Sequence, residues 1–153
     1  MLVTPWPSLR QALIRRLRSN LVLKAELLGD WAEGVDPQKA AYPLGLIALH
    51  YAPVEYDWSG QVVIAGVDVF VLAKTSGEAG SLDQLAYSTL QNAALDPTGQ
   101  TSLSCRRLSS ISLVSPSEEG ATIYQEGGIY EVRLEQSNPT LQTLSITADS
   151  TIG

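Results

Sequence analysis

Few residues in this chain could carry out chemistry. It contains one histidine, His50, and one cysteine, Cys105, among 153 residues. His50 falls in the middle of a predicted strand, where a packed or interface side chain is the commoner role. Serines and carboxylates are plentiful, so counting does not exclude a Ser–His–Asp arrangement, but the chain has no G-x-S-x-G turn. The residue inventory therefore predicts a protein that is not an enzyme.

Metal and cofactor sites are also not indicated. A zinc site needs three or four clustered ligands, and one histidine with one cysteine does not supply them. Cys105 lies in a predicted strand without a second cysteine nearby, which favours an ordinary buried thiol. The glycine-bearing turn Thr75–Ser81 could in principle hold a phosphate on its amides. It lacks the spacing of a P-loop or a dinucleotide fold, and Glu78 would repel an anion, so we interpret it as a helix cap.

Length and composition describe a globular chain. Its 153 residues suit one domain, with 44% apolar and 17% charged residues. No apolar run reaches about 18 residues, so no membrane span is predicted. The first 20 residues lack the order of a signal peptide, which makes synthesis in the cytoplasm the expectation.

Charge is unevenly distributed. The first 24 residues carry only basic charges, whereas the rest is acidic and the chain totals −6. An acidic body argues against an extended grip on nucleic acid. Arg15 and Arg18 on the first helix could meet an acidic partner surface, or they could simply form the solvated side of an amphipathic helix.

Hydrophobic periodicity predicts an α+β fold in the order α-β-β-α-β-β. We expect a mostly antiparallel four-stranded sheet with two main helices packed on one face. A single domain covers residues 1–136, and residues 137–153 form a C-terminal arm, extended or an edge strand. The predicted elements are a helix capped by Ser8, strands over 44–51 and 61–74, a second long helix, and a hairpin of 103–114 with 122–136.

The strand over residues 61–74 has two unlike faces. One face is uniformly apolar and should pack on a helix. The other mixes polar side chains with Ile64, Phe70 and Leu72, which indicates a surface that contacts another subunit or is partly open to water. Gly66 indicates a bulge or bend within this strand.

Local signals leave some alternatives open. The second long helix has two plausible caps, Thr75 and Ser81. Asp83, Tyr87 and Gln91 fall on its predicted outer face. Two consecutive glycines, residues 127–128, indicate a bulge in the last strand.

Four segments resemble the tail terminator (tail completion) proteins of long-tailed bacteriophages. They are SLRQALIRRLRSN, YPLGLIALHY, VDVFVLAKTSGEAGSLDQLAYSTL and GGIYEVRLEQS, and they span roughly residues 8–136. The resemblance implies a non-catalytic virion protein that assembles as a hexameric ring. Such a ring ends the tail tube and joins it to the neck or head-closure protein at the tail–neck junction. The nearly uncharged arm 137–153 is a departure from the family.

A ring would give further residues a role. Glu118 and Glu119, at the predicted hairpin tip, would line its lumen and let DNA pass without specific binding; otherwise they form a solvated turn. The nearest alternatives are another neck or head-closure protein, or a tail tube subunit. A small ligand-binding or enzymatic α+β domain is the alternative of a different class, and it would need a deep polar pocket.

Overall fold

The computed structural model describes residues 6–33, 41–51, 54–56, 60–95, 101–116 and 122–137. Within these ranges lie three helices and six strands. The helices are α1 (Trp6–Arg18), α2 (Leu21–Glu26) and α3 (Ser76–Leu90). The strands are β1 (Trp31–Ala32), β2 (Leu44–Tyr51), β3 (Val54–Tyr56), β4 (Gly60–Ala73), β5 (Thr101–Pro116) and β6 (Thr122–Ser137).

The strands form one mixed sheet in the order β1-β2-β4-β6-β5, and β3 also pairs with β4. The β1–β2 pair is parallel, and the other pairs are antiparallel. The prediction of a four-stranded antiparallel sheet in the order α-β-β-α-β-β is therefore wrong. The omitted strands, β1 and β3, have two and three residues, which is too short for an alternating pattern to show in the sequence.

The main core lies between the helices and one face of the sheet. From β4 it takes the alternate residues Val63, Ala65, Val67, Val69, Val71 and Ala73, none more than 1% exposed. Leu9, Leu13 and Leu17 recur at i and i+4 on α1 and are fully buried. Each fully buried leucine contributes roughly 1.5–3 kcal/mol. Burial of this face fixes the register of the central strand.

The two long helices begin at different kinds of residue. Thr75 is the N-cap of α3, and its Oγ1 accepts a hydrogen bond from the amide of Glu78 at 3.2 Å. The alternative cap, Ser81, lies inside the helix. Helix α1 begins at Trp6, so Ser8 lies within its first turn and not at the residue that precedes the helix.

The glycine pair of β6 is not a bulge. Residues 127–128 stay in regular register with β4, and the register shifts lie in β5, around Leu103 and Leu108. Gly127 is needed because a Cβ there would overlap Phe70 and the carbonyl oxygen of Val69. Close approach of neighbouring strands, and not an extra residue, thus explains this glycine.

Gly66 has a similar role in β4. The ring of Tyr51 lies over it, where a Cβ would stand. The adjacent irregularity is in the partner strand β2, between Leu49 and Tyr51. The signal at Gly66 therefore marked a bulge across the ladder and not in its own strand.

Candidate functional site

His50 lies near the end of β2, away from the helices. Its Nδ1 is 3.5 Å from Oδ2 of Asp68, and its side chain is 52% exposed. The ring packs edge-on against Tyr51, with centroids 5.7 Å apart. His50 and Asp68 therefore form a contact at the surface of the sheet, partly open to solvent. Within the described ranges no three His, Cys, Asp or Glu side chains are grouped to bind a metal ion.

Cys105 points from β5 into the main core. Only 1% of the residue is exposed. Burial raises the pKa of its thiol to about 12, although the charge of Arg16 acts in the opposite direction. The group is therefore a protonated thiol at neutral pH, with little of the thiolate that nucleophilic chemistry requires.

We predict that Cys105 in the folded protein reacts with a thiol reagent at pH 8 at least about a hundredfold more slowly than the same residue in denaturant, because both thiolate and access are withheld. Timed labelling followed by mass spectrometry measures this. A chain with Ser88→Cys, exposed on α3, is the matched control and should label rapidly at the new site. Equal rates in folded and unfolded protein would contradict the burial of Cys105.

A mostly buried polar cluster joins α3 to β5. The guanidinium of Arg107 donates two hydrogen bonds to the carboxylate of Asp83, one of them at 3.0 Å. The side chains of this pair are only 10% and 13% exposed. The Arg107 Cζ also lies 5.1 Å from the ring centroid of Tyr87 and 5.0 Å from that of Tyr130, so it is stacked between two aromatic rings.

This cluster corrects the prediction that Asp83, Tyr87 and Gln91 face away from the domain. All three contact Arg107 of the edge strand β5, which extends the sheet beneath that side of α3. The amide of Arg107 also donates to Oε1 of Gln91 at 3.1 Å, and the amide of Asn92 donates to the Cys105 carbonyl oxygen at 2.9 Å. These contacts fix the first half of β5, around Cys105 and Arg107, to α3. They do not involve the edge of β5 that faces away from β6.

The arginines of α1 are largely paired within the chain. Arg10 contacts Glu33 at 2.6 Å, Arg16 donates to the Thr89 carbonyl oxygen at 3.1 Å, and Arg18 donates to Asp30 at 3.2 Å. Arg15 is exposed. A depression beside α1 is lined in part by Arg10, Arg15 and Arg18. The charges of Arg10 and Arg18 are already balanced by the carboxylates of Glu33 and Asp30.

The Arg18–Asp30 pair predicts a pH dependence. Its hydrogen bond holds the pKa of Asp30 below the usual value, so the stabilisation is fully present above about pH 3.9, the unfolded pKa. It is lost as the pH falls through the lower pKa of the folded state. We expect Asp30→Asn to cost less than about 1 kcal/mol at pH 7, as exposed pairs do, and the difference from wild type to vanish in strong acid.

Asparagine is the suitable replacement because Asp30 has a φ of 55°, a conformation that asparagine tolerates. Urea titrations of both proteins at several pH values measure the effect. A difference that persists at the acid end would show that the ion pair is not its source.

The face of the sheet opposite the helices carries a second, smaller apolar cluster. It centres on Leu44, Phe70 and Leu72, which are 3%, 6% and 8% exposed within one copy of the chain. Ile64 is half-buried. Phe70 and Leu72 therefore have little surface left for the predicted contact with another subunit, and Ile64 has more.

At the sheet edge formed by β5, in contrast, several apolar side chains are exposed. This strand has 16 residues and pairs only with β6 among the described strands. Four of its apolar side chains are 45–61% exposed: Leu103, Leu108, Leu113 and Val114. A long apolar edge of this kind is a surface for contact with another chain. The sequence pattern placed this strand in a hairpin but did not show that it would be at the edge.

Comparison with known proteins adds one structural likeness. The fold is similar to that of a chain in the native gene transfer agent (GTA) virion particle, with a TM-score of 0.64 and 17% sequence identity. The match covers 83% of this chain and 94% of that chain. At this identity the likeness establishes a shared fold. No protein-family model and no curated protein matches the sequence.

Two predictions concern residues outside the described ranges. They are the lumen-lining role of Glu118 and Glu119 and the C-terminal arm 137–153, of which only Ser137 is described. None of the three helices in the described part is long and apolar enough to cross a membrane.

Proposed function

We propose that this protein is a virion structural subunit that forms a ring, ends the tail tube and joins it to the head–neck connector. The observation that carries the proposal is the fold, shared over most of both chains with a component of the GTA virion particle. The four sequence segments that resemble tail terminators supply the finer assignment. Its site of action is the tail–neck junction of the virion.

The distribution of polar groups supports a structural role. The mostly buried charged cluster of Arg107 and Asp83 holds helix α3 on strand β5. His50 is exposed beside one carboxylate, and Cys105 is buried as a thiol. These groups support the architecture of one domain, and none of them forms a base, a nucleophile and an oxyanion site together.

Ring closure needs a heterologous interface, in which one surface of a subunit contacts a different surface of the next. The exposed edge of β5 is one suitable surface. Ile64 and Arg15 provide others, and Arg18 could contribute while paired with Asp30. Phe70 and Leu72 would serve mainly as a rigid base for this face, since their own chain buries them.

The proposed partners are further copies in a hexamer, the tail tube protein and the neck or head-closure protein. DNA would pass through the lumen. The net charge of −6 suits a passage that does not retain the polymer, and Glu118 and Glu119 are the residues proposed to line it.

Deleting the coding sequence from a producing strain tests the proposal. We expect heads and tails to assemble but to remain separate in electron micrographs, and the wild-type chain supplied in trans to join them. A tail tube subunit would instead leave no tube, and a head-closure protein would leave heads that do not retain DNA. Fully joined particles without the protein would refute the role.

A further inference from the structure

The free edge of β5 contains a regular stretch that is open to pairing. After the irregularity at Leu108, residues Ser109–Pro116 run in unbroken register with β6. On the other side no described strand pairs with them. In such an edge, alternate residues direct their amide and carbonyl groups outwards.

This stretch lacks the usual protection of an edge. It has no charged residue, and its proline is the last residue of the strand. Leu113 pairs with Gln125 on the face opposite the helices, and Val114 pairs with Tyr124 on the helix face; they are 48% and 61% exposed. An added strand would therefore gain backbone hydrogen bonds along the edge and apolar contacts on both faces.

We propose that residues 141–149 of a second copy of this chain add to β5 as an antiparallel strand. The inference rests on the self-assembly part of the proposed function and identifies the segment that links neighbours. In the sequence, Leu144, Ile146 and Ala148 alternate with threonine and serine, a pattern typical of strands. Asp149 is the one charged residue after Ser137. The segment is therefore nearly uncharged, like the stretch of β5 with which it would pair.

The direction of the strands favours a second copy as the donor. Thr101 pairs with Glu135, so β6 ends at the same end of the sheet at which β5 begins. A segment that returned directly along β5 within its own chain would start at the end where β5 begins, and it would therefore run parallel to β5. Parallel pairing is slightly weaker per residue than antiparallel pairing. A neighbour can deliver the segment in antiparallel orientation.

Pairing of two β5 edges with each other is the competing arrangement. It would be two-fold symmetric and would stop at a dimer. Strand donation is heterologous, because edge and donor are different surfaces, so each copy can both donate and accept around a ring.

Cross-linking distinguishes these arrangements. Ser112→Cys and Ile146→Cys are placed in two chains with different tags, which are coexpressed and treated with a short bifunctional maleimide. Apposed thiols have effective concentrations in the millimolar range, so we expect at least about tenfold more doubly tagged product than in the control pair. That control combines Ile146→Cys with Ser88→Cys, which is exposed on α3. Wild-type chains should not cross-link, since Cys105 is buried.

Three results would overturn the inference. They are a doubly tagged yield no higher than that of the control pair, efficient cross-linking of Ser112→Cys chains to each other, and, in a chain carrying both substitutions, cross-links only within one chain. Electron micrographs of the same samples separate the two proposals. Rings that form without the Ser112–Ile146 cross-link would leave the proposed function intact and reject strand donation.

Discussion

Asp83→Ala is expected to lower the free energy of unfolding by about 3–5 kcal/mol, the range for removing one member of a buried ion pair. Arg107 would lose both of its hydrogen bonds to the carboxylate. Its guanidinium would stay between the rings of Tyr87 and Tyr130, largely shielded from water and without a counter-charge. The unpaired buried charge, and not the lost contact, accounts for most of the expected loss.

Chemical denaturation of purified variants measures this effect. Glu33→Ala is the matched control, because it breaks a pair with Arg10 whose side chains are 34% and 51% exposed; such pairs contribute at most about 1 kcal/mol. Replacing both partners, with Asp83→Leu and Arg107→Met, should recover part of the loss. If Asp83→Ala costs no more than Glu33→Ala, the cluster does not hold β5 on α3.

Gly127→Ala is expected to destabilise the protein strongly, although it adds only one methyl group. The new Cβ would overlap the Val69 carbonyl oxygen and the backbone and ring of Phe70. Two paired strands cannot move apart without loosening the cluster around Phe70. We expect a loss of about 3 kcal/mol, at the upper end of the overpacking range.

Gly80→Ala is the control with the opposite sign. Nothing lies within 4 Å of a Cβ at Gly80, which is inside α3, so alanine should stabilise the protein by about 0.5–1 kcal/mol. Thermal and urea unfolding of both variants compare the same chemical change in two surroundings. A neutral Gly127→Ala would contradict the close approach of β4 and β6.

The long helices and strands could be predicted because burial of one face requires apolar residues at a regular spacing in the sequence. The alternation over Val63–Ala73 identified β4 and its core-facing side, and the leucines of α1 identified its buried stripe. The cap at Thr75 was one of two possibilities that local chemistry allowed. Only tertiary context decided between them.

The sequence pattern was misleading where the exposure or pairing of a residue depends on elements that are distant in the sequence. Strands β1 and β3 are too short to carry a period, so the sheet was predicted with too few strands. Asp83 and Tyr87 looked solvent-facing because a polar helix face reads the same whether it meets water or a polar edge strand. Phe70 and Leu72 are mostly buried within one copy, which the sequence pattern did not show, and their contact with another subunit stays a prediction.

The proposed role of this chain is to form a ring at the junction of tail and head. Cryo-electron microscopy of intact particles carrying a tagged copy is the decisive measurement for this role. We expect six copies of this fold encircling the end of the tail tube, with the tag density at the neck. Tagged density along the tube or on the head surface, or particles that lack the protein altogether, would contradict it.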